Sequence, residues 1–508
     1  MERSRGPGFD SCNGMQAAAT LVASGIARWA DFSTMAAMNF SHFYDSLRKA
    51  VARWLVTSWK IRAGYNEHVP ETFQVVNFGC RAEQADGAAI ERALEARGLA
   101  RSGACDASLV VLNTCTVTAA ADADARATIR RIHRQNPDCK ILVTGCYAQR
   151  APEEIAALEG VSWVVGNSHK QEIAELVAPL GQDFVPISSL LGSNILVGDI
   201  FAHTELLAAP VFAAGSERTR PNLKVQDGCN NRCSFCVIPS VRGRSRSLPR
   251  EEVLREVGQL VEAGYREVVI SGINLGRWGR DLRPQQRFAD LVRAIVEQTG
   301  LEKLRISSVE PMDWSDELIE LVTTHRRIAR HAHVPLQSGS DKILRAMHRK
   351  YRPWHYAQRL GKIRAASAEA AIGADVMVGF PGETEEFFEA SREFIASLPF
   401  TYLHVFTFSG RPGTPAASLP QQVPVEVARA RSRVLRELAG EKNLAFRQSF
   451  VGGELKVITL SSGDNEATEA LTDNYLKLRL AGKHAPNQWL RARIAAVTDD
   501  GLRGTAKS

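Results

Sequence analysis

From Phe73 onward the apolar positions fall into short runs of strand length: residues 73–79 (FQVVNFG), 109–114 (LVVLNT), 141–145 (ILVTG) and 161–165. Between them, residues 84–97 and 119–134 have the length and Ala/Arg/Glu content of crossover helices, and such alternation predicts a parallel sheet. A second alternating series runs from 222 to 414. Its strand candidates are 223–226, 267–271, 303–308, 329–334, 372–378 and 402–408, with helices such as 250–263 and 383–397 between them. Six strand-helix units predict a partial barrel, because a full eight-unit barrel takes roughly 250 residues. An Arg- and Glu-rich helix at 425–447 then leads to strand-like pieces at 455–460 and 475–480, a tail of the right size for a small β-barrel. The fold class is therefore α/β. A parallel-sheet domain spans 71–180, a linker without strong periodicity 181–218, a partial (β/α)6 barrel 219–443, and a small β-barrel 444–508.

Residues 1–70 lack a clear pattern and read as a disordered extension or a misplaced start, with Met35 or Met38 as alternative starts. Residues 15–26 are apolar enough to suggest a signal, but their flanks and cleavage signals are poor. A chain of 508 residues exceeds what one hydrophobic core serves, in keeping with several domains. Composition is that of a soluble globular protein, with no apolar run long enough to span a bilayer. A net charge of +7 is compatible with a polyanionic partner but does not require one. Nine cysteines in such a length are too sparse for a disulfide scaffold, and they fit a reducing cytoplasm.

Six of those cysteines carry the chemistry. Cys229, Cys233 and Cys236 form a CxxxCxxC loop just after the strand at 223–226, at the mouth where barrel enzymes place their active sites. Three thiolates on one loop hold three corners of a 4Fe-4S cluster and leave one iron open. That iron can chelate S-adenosylmethionine, and reduction can then cleave the sulfonium to a 5'-deoxyadenosyl radical. A zinc knuckle fits less well, since zinc sites close with four ligands and no nearby Cys or His supplies the fourth.

Cys80, Cys115 and Cys146 each follow one of the three N-terminal strands, so a parallel sheet brings them to one edge. They predict a second cluster, whereas Cys12, Cys105 and Cys139 lack that logic and read as small apolar residues. Polar residues on barrel strands suggest lumen contacts to cofactor or substrate: Ser308 with Glu310, Asp375, and His331 with His333. Gly272 and Asn274, in SGIN, and the glycines of GFPGET follow strands and either admit a ligand close to the backbone or make a turn. Arg242, Arg244, Arg246 and Arg250, with Arg126, Arg130, Arg131 and Arg134, could gather positive charge near both cysteine groups for contact with RNA.

From residue 73 to the end, the sequence resembles the methylthiotransferase family of radical S-adenosylmethionine enzymes. The segments that carry the resemblance are NFGCRAEQAD, NTCTVT, TGCYAQ, QDGCNNRCSFCVIPSVRGRSRS, VPLQSGSDKILRAM, VGFPGET and FSGRPGT. It implies a flavodoxin-like N-terminal domain with an auxiliary 4Fe-4S cluster, a central partial radical barrel and a C-terminal RNA-binding TRAM barrel. NTCTVT and GCYAQ look most like the branch that converts N6-threonylcarbamoyladenosine beside the tRNA anticodon to its 2-methylthio form. S-adenosylmethionine there also donates the methyl group, and a flavodoxin- or ferredoxin-type protein supplies electrons. One departure is Glu83, where the family pattern has Asn. The competing readings are the same chemistry on N6-isopentenyladenosine or a ribosomal protein, and a non-catalytic iron-sulfur RNA-binding or electron-carrier protein.

Overall fold

The computed structural model describes residues 71–177, 194–202, 206, 219–464 and 466–507. The extension at 1–70 and most of the stretch read as linker lie outside the described residues.

The first sheet is built from β1 (Thr72–Asn77), β2 (Ala100–Arg101), β3 (Leu109–Thr114), β4 (Lys140–Gly145), β5 (Val161–Gly166) and β6 (Ile195–Leu196). All pairings are parallel, in the order β2-β1-β3-β4-β5-β6. The central strand β3 is buried along its whole length, as an apolar run covered on both faces must be. The crossover helices Arg81–Glu95 and Ala119–Gln135 match the expected ones, and the second is capped by Thr118 Oγ1, which accepts from Ala121 N at 3.2 Å. The short β6 lies inside the stretch read as linker and adds a sixth strand to this sheet.

The second series gives β7 (Asn222–Asp227), β8 (Arg246–Ser247), β9 (Glu267–Gly272), β10 (Lys303–Ile306), β11 (His331–His333), β12 (Ala371–Val378) and β13 (Tyr402–Thr407). They form two arcs, β10-β9-β7-β8 and β11-β12-β13, joined by a bridge between Leu304 and Ile328. The six predicted strands are all present; the extra β8 is a two-residue antiparallel partner of β7. The helix Arg81–Glu95 of the first domain packs on β7, and the helix Val425–Gln448 packs on β13.

The C-terminal barrel is closed in the order β14-β15-β16-β18-β17, from β14 (Glu454–Gly463), β15 (Ala467–Thr472), β16 (Lys477–Ala481), β17 (Trp489–Val497) and β18 (Leu502–Ala506). It docks where the radical-barrel strands begin: Lys303 Nζ donates to Asp473 Oδ2 at 3.2 Å, Asn474 Nδ2 to Glu369 O at 2.9 Å, and Asn487 Nδ2 to Gly264 O at 2.7 Å. The CxxxCxxC loop lies at the opposite ends of these strands, so the C-terminal barrel forms a floor beneath the lumen. Among the described residues, no helix is long and apolar enough to cross a membrane.

Candidate cluster sites and the lumen between them

Sheet order places the N-terminal trio. β1, β3 and β4 are neighbours; Cys115 and Cys146 directly follow β3 and β4, and Cys80 stands just beyond β1. The backbone there is shaped for close approach. Gly79, at φ +88°, lies against Cys115, and a Cβ on it would stand 2.7 Å from Cys115 Cβ and 2.9 Å from its Sγ. Cys80 is exposed, while Cys115 and Cys146 are buried. Amide donors already aim at the sulfurs, with Val117 N and Asn167 Nδ2 each 3.5 Å from Cys115 Sγ and Cys146 Sγ respectively. Burial pushes the Cys115 thiol up to about 11 and the Cys146 thiol well above its ordinary value. Without metal both are thiols at neutral pH, and iron binding would release their protons.

Cys229, Cys233 and Cys236 are half-buried on the loop between β7 and the helix Ile238–Arg242. Cys229 N donates to Gly243 O at 3.1 Å and closes the loop. The sulfurs again have donors: Asn231 N at 3.4 Å and Asn274 Nδ2 at 3.5 Å to Cys229, and Arg349 Nη1 at 3.2 Å to Cys233. Burial pushes the Cys236 thiol up to about 12. Among the described residues no three His, Cys, Asp or Glu side chains converge as they would around a single ion. A cubane takes one thiolate at each of three corners, and the N–H donors at Cys115, Cys146, Cys229 and Cys233 would stabilise thiolate bound there.

The remaining predicted contacts divide. Ser308 Oγ lies 2.7 Å from His333 Nδ1, and His333 Nε2 lies 3.5 Å from Asp375 Oδ1, so these three form one chain across the lumen. Glu310 pairs with Arg349, which reaches Cys233. Gly272 ends β9 against the side chain of Gln226, whose Oε1 accepts from Asn274 N at 2.7 Å. Near them Ser271 Oγ, Asn274 Oδ1 and Gln337 Oε1 are buried with no hydrogen-bond partner among the described residues. His331 turns elsewhere, with Nε2 2.7 Å from the Tyr402 hydroxyl. The GFPGET glycine Gly379 serves the turn: its N donates to Glu383 Oε2 at 2.6 Å, and a Cβ there would strike Ala428.

Two sequence expectations are corrected. Arg242 and Arg246 are buried rather than displayed to RNA, because carboxylates from two domains claim Arg242 and backbone carbonyls claim Arg246. Arg126 stays partly exposed, donating to the Tyr147 hydroxyl at 2.7 Å and to Glu154 at 3.0 Å. Cys105 is exposed in a turn, whereas Cys139 is the buried apolar residue expected.

The sequence pattern missed the lattice between the trios. Arg242 Nη1 donates to both oxygens of Asp227 at 2.9 Å, and its Nη2 to Glu83 at 2.6 Å and Asp86 at 2.9 Å. Lys170 and Lys224 each donate to Asp86, and Cys146 Sγ donates to Glu83 Oε1 at 2.9 Å. The charged members of β7, Lys224 and Asp227, were the available signal, since a strand covered on both faces keeps charge only when it is paired. Beside the lattice, Cys146 shares an apolar cluster with Val237 and Val241, on the segment that follows Cys236. A second latch ties NTCTVT to FSGRPGT: Arg411 Nη2 donates to Thr116 Oγ1 at 2.9 Å and also pairs with Asp122.

Residues 223–395 match the Radical SAM superfamily, and residues 72–166 match the Uncharacterized protein family UPF0004. The threonylcarbamoyladenosine tRNA methylthiotransferase MtaB of Bacillus subtilis (strain 168) is 40% identical, over 74% of this chain and 82% of the relative. Its namesake from Aquifex aeolicus (strain VF5) is 34% identical, over 82% and 98%. The tRNA-2-methylthio-N(6)-dimethylallyladenosine synthase of Desulfitobacterium hafniense (strain Y51) is 31% identical, over 77% and 86%.

Proposed function

This chain belongs to the methylthiotransferase family of radical S-adenosylmethionine enzymes, and we propose that it methylthiolates C2 of N6-L-threonylcarbamoyladenosine at position 37 of tRNA. The observation that carries the reading is the packing of Cys146 against Val237 and Val241, which sets one cysteine trio beside the other across the domain boundary. Cys229, Cys233 and Cys236 would hold a 4Fe-4S cluster that with S-adenosylmethionine would supply the 5'-deoxyadenosyl radical, and Cys80, Cys115 and Cys146 would hold a second that would supply sulfur.

The protein's own part is to hold and orient. Asn274 and Arg349 steady the Cys229 and Cys233 sulfurs, and Arg349 fixes the Glu310 carboxylate. Gly272, Asn274, Ser308, Glu310, His333 and Asp375 line the cofactor side, where Ser308 sets the orientation of the His333 ring. The Glu83 and Arg242 lattice keeps the two domains, and with them the two cysteine trios, in register. A flavodoxin- or ferredoxin-type protein is the electron donor in this reading.

Nucleoside mass spectrometry on a strain lacking the gene tests the proposal. Loss of 2-methylthio-N6-threonylcarbamoyladenosine, restored by the gene, is expected. Unchanged levels would overturn it, and loss of the isopentenyl counterpart or of a ribosomal-protein modification would move the chemistry to that substrate. Reconstituted protein given dithionite and S-adenosylmethionine should release 5'-deoxyadenosine; no release with both clusters intact would favour a non-catalytic role.

A further inference from the structure

Three arginines gather at the floor of the lumen, and among the described residues two of them have acids. Arg305 Nε donates to Glu267 at 2.7 Å, and Arg220 approaches the same carboxylate at 3.6 Å. Arg81, next to Cys80, has no carboxylate within ion-pair distance among the described residues; its guanidinium touches the Tyr475 hydroxyl at 3.5 Å. Its backbone is anchored, because Asn222 Nδ2 donates to Arg81 O at 3.0 Å and Arg81 opens the helix Arg81–Glu95. The chain is held there while the charged head is left with a neutral neighbour.

That head faces a wall of planar side chains. The Tyr475 ring lies 4.7 Å from His331 and 6.1 Å from Tyr402, and His404 lies 5.2 Å from Tyr402 and 5.6 Å from His333. His331 is buried, and His404 is exposed. Burial and nearby positive charge hold His331 well below the ordinary histidine range, and burial lowers His404 as well, so both rings are neutral at neutral pH. The acid on this wall, Asp375, faces His333. Arg81 is therefore a standing cation beside a stacking surface and one residue from a cluster cysteine.

A guanidinium fork takes a carboxylate bidentately, and aromatic rings take a base. The two adenosines named among the relatives differ in this respect, since a threonylcarbamoyl group ends in a carboxylate and a dimethylallyl group is hydrocarbon. We infer that Arg81 binds the substrate's threonyl carboxylate and selects threonylcarbamoyladenosine over the hydrocarbon-modified base, an inference that rests on the reading under Proposed function. Its charge also sits where a hydrocarbon group would leave it desolvated and unpaired, which rejects the wrong substrate as well as holding the right one.

The test uses reconstituted full-length enzyme and anticodon stem-loop RNAs carrying threonylcarbamoyladenosine, its carboxylate methyl ester, or dimethylallyladenosine. For wild type, kcat/KM should fall roughly tenfold to a hundredfold from acid to ester, the worth of a charged hydrogen bond. Arg81→Gln should lose a similar factor on the acid, mainly in KM, and treat acid and ester alike. Arg81→Lys should keep part of the preference. Iron content and 5'-deoxyadenosine release should match wild type in both variants. Wild type that treats acid and ester alike overturns the inference without any variant. Arg81→Gln that discriminates as wild type does also overturns it, while leaving the parent function standing. Wild type that modifies none of the RNAs overturns the tRNA reading itself.

Discussion

The Arg242 guanidinium donates to Glu83 at 2.6 Å and to Asp227 at 2.9 Å, joining the helix that begins after Cys80 to the strand that ends before Cys229. Three acids (Glu83, Asp86, Asp227) and three bases (Lys170, Lys224, Arg242) meet here, nearly all solvent excluded. A buried ion lattice adds little net stability over apolar packing, but removing one member leaves an uncompensated charge. Arg242→Met should therefore cost about 3–5 kcal/mol in denaturant unfolding of the apoprotein. A cost below about 1 kcal/mol would mean that water reaches the freed carboxylates.

Acid should dissolve the same lattice late. Lys170, Lys224 and Arg242 outweigh the burial that opposes ionisation of Asp86 and hold its pKa at about 2, below the ordinary aspartate value. A carboxylate with a lowered folded-state pKa contributes stability that is complete above its unfolded value, near 4, and is lost as pH falls toward 2. The difference in stability between wild type and Asp86→Asn should thus be constant from pH 7 to about pH 4.5 and shrink below it. Urea titrations at stepped pH measure this, and a difference that stays flat to pH 2.5 would contradict it.

Much of the architecture was legible from the chain. The all-buried β3 announced itself as LVVLNT, and the CxxxCxxC loop and the trio after β1, β3 and β4 could be placed from apolar runs alone. What joins the domains was not legible. Glu83, Asp86 and Lys170 sit on helical turns whose charges resemble any solvated face, and their partners on β7 and after it are distant in sequence. Hydrophobic periodicity reports which face is covered, not which charge crosses an interface to neutralise another. Glu83 was visible only as a departure from Asn, and its meaning depended on finding Arg242 and Cys146 within reach of its carboxylate.

The same distinction redraws the RNA-facing charge. Arg242 and Arg246 are consumed internally, while Arg130, Arg131 and Arg134 are exposed on the helix Ala119–Gln135. Replacing those three with Gln should weaken tRNA binding and lower the slope of log affinity against log salt by about 1 for each arginine that meets a phosphate. Fluorescence anisotropy between 50 and about 200 mM salt would measure it. An unchanged slope would remove this helix from the RNA-binding surface.

The two trios stand on different sheets, and this separates their expected losses. Cys233 lies on the loop closed by the Cys229 N to Gly243 O bond and receives Arg349, so Cys233→Ala removes a corner of the site where cofactor cleavage is proposed. Cleavage should fall to background, and methylthiolation with it. Cys115 lies across the domain boundary, after β3, and receives Val117 N, so Cys115→Ala leaves the CxxxCxxC loop and its donors untouched. That variant should keep 5'-deoxyadenosine release while forming no methylthio nucleoside, with iron content reduced by one cluster. Chromatography of 5'-deoxyadenosine alongside mass spectrometry of digested tRNA reads both activities from one reaction. Should Cys115→Ala lose both activities equally, with the Cys229 to Cys236 cluster still present by electron paramagnetic resonance, the two trios would have to act as one centre.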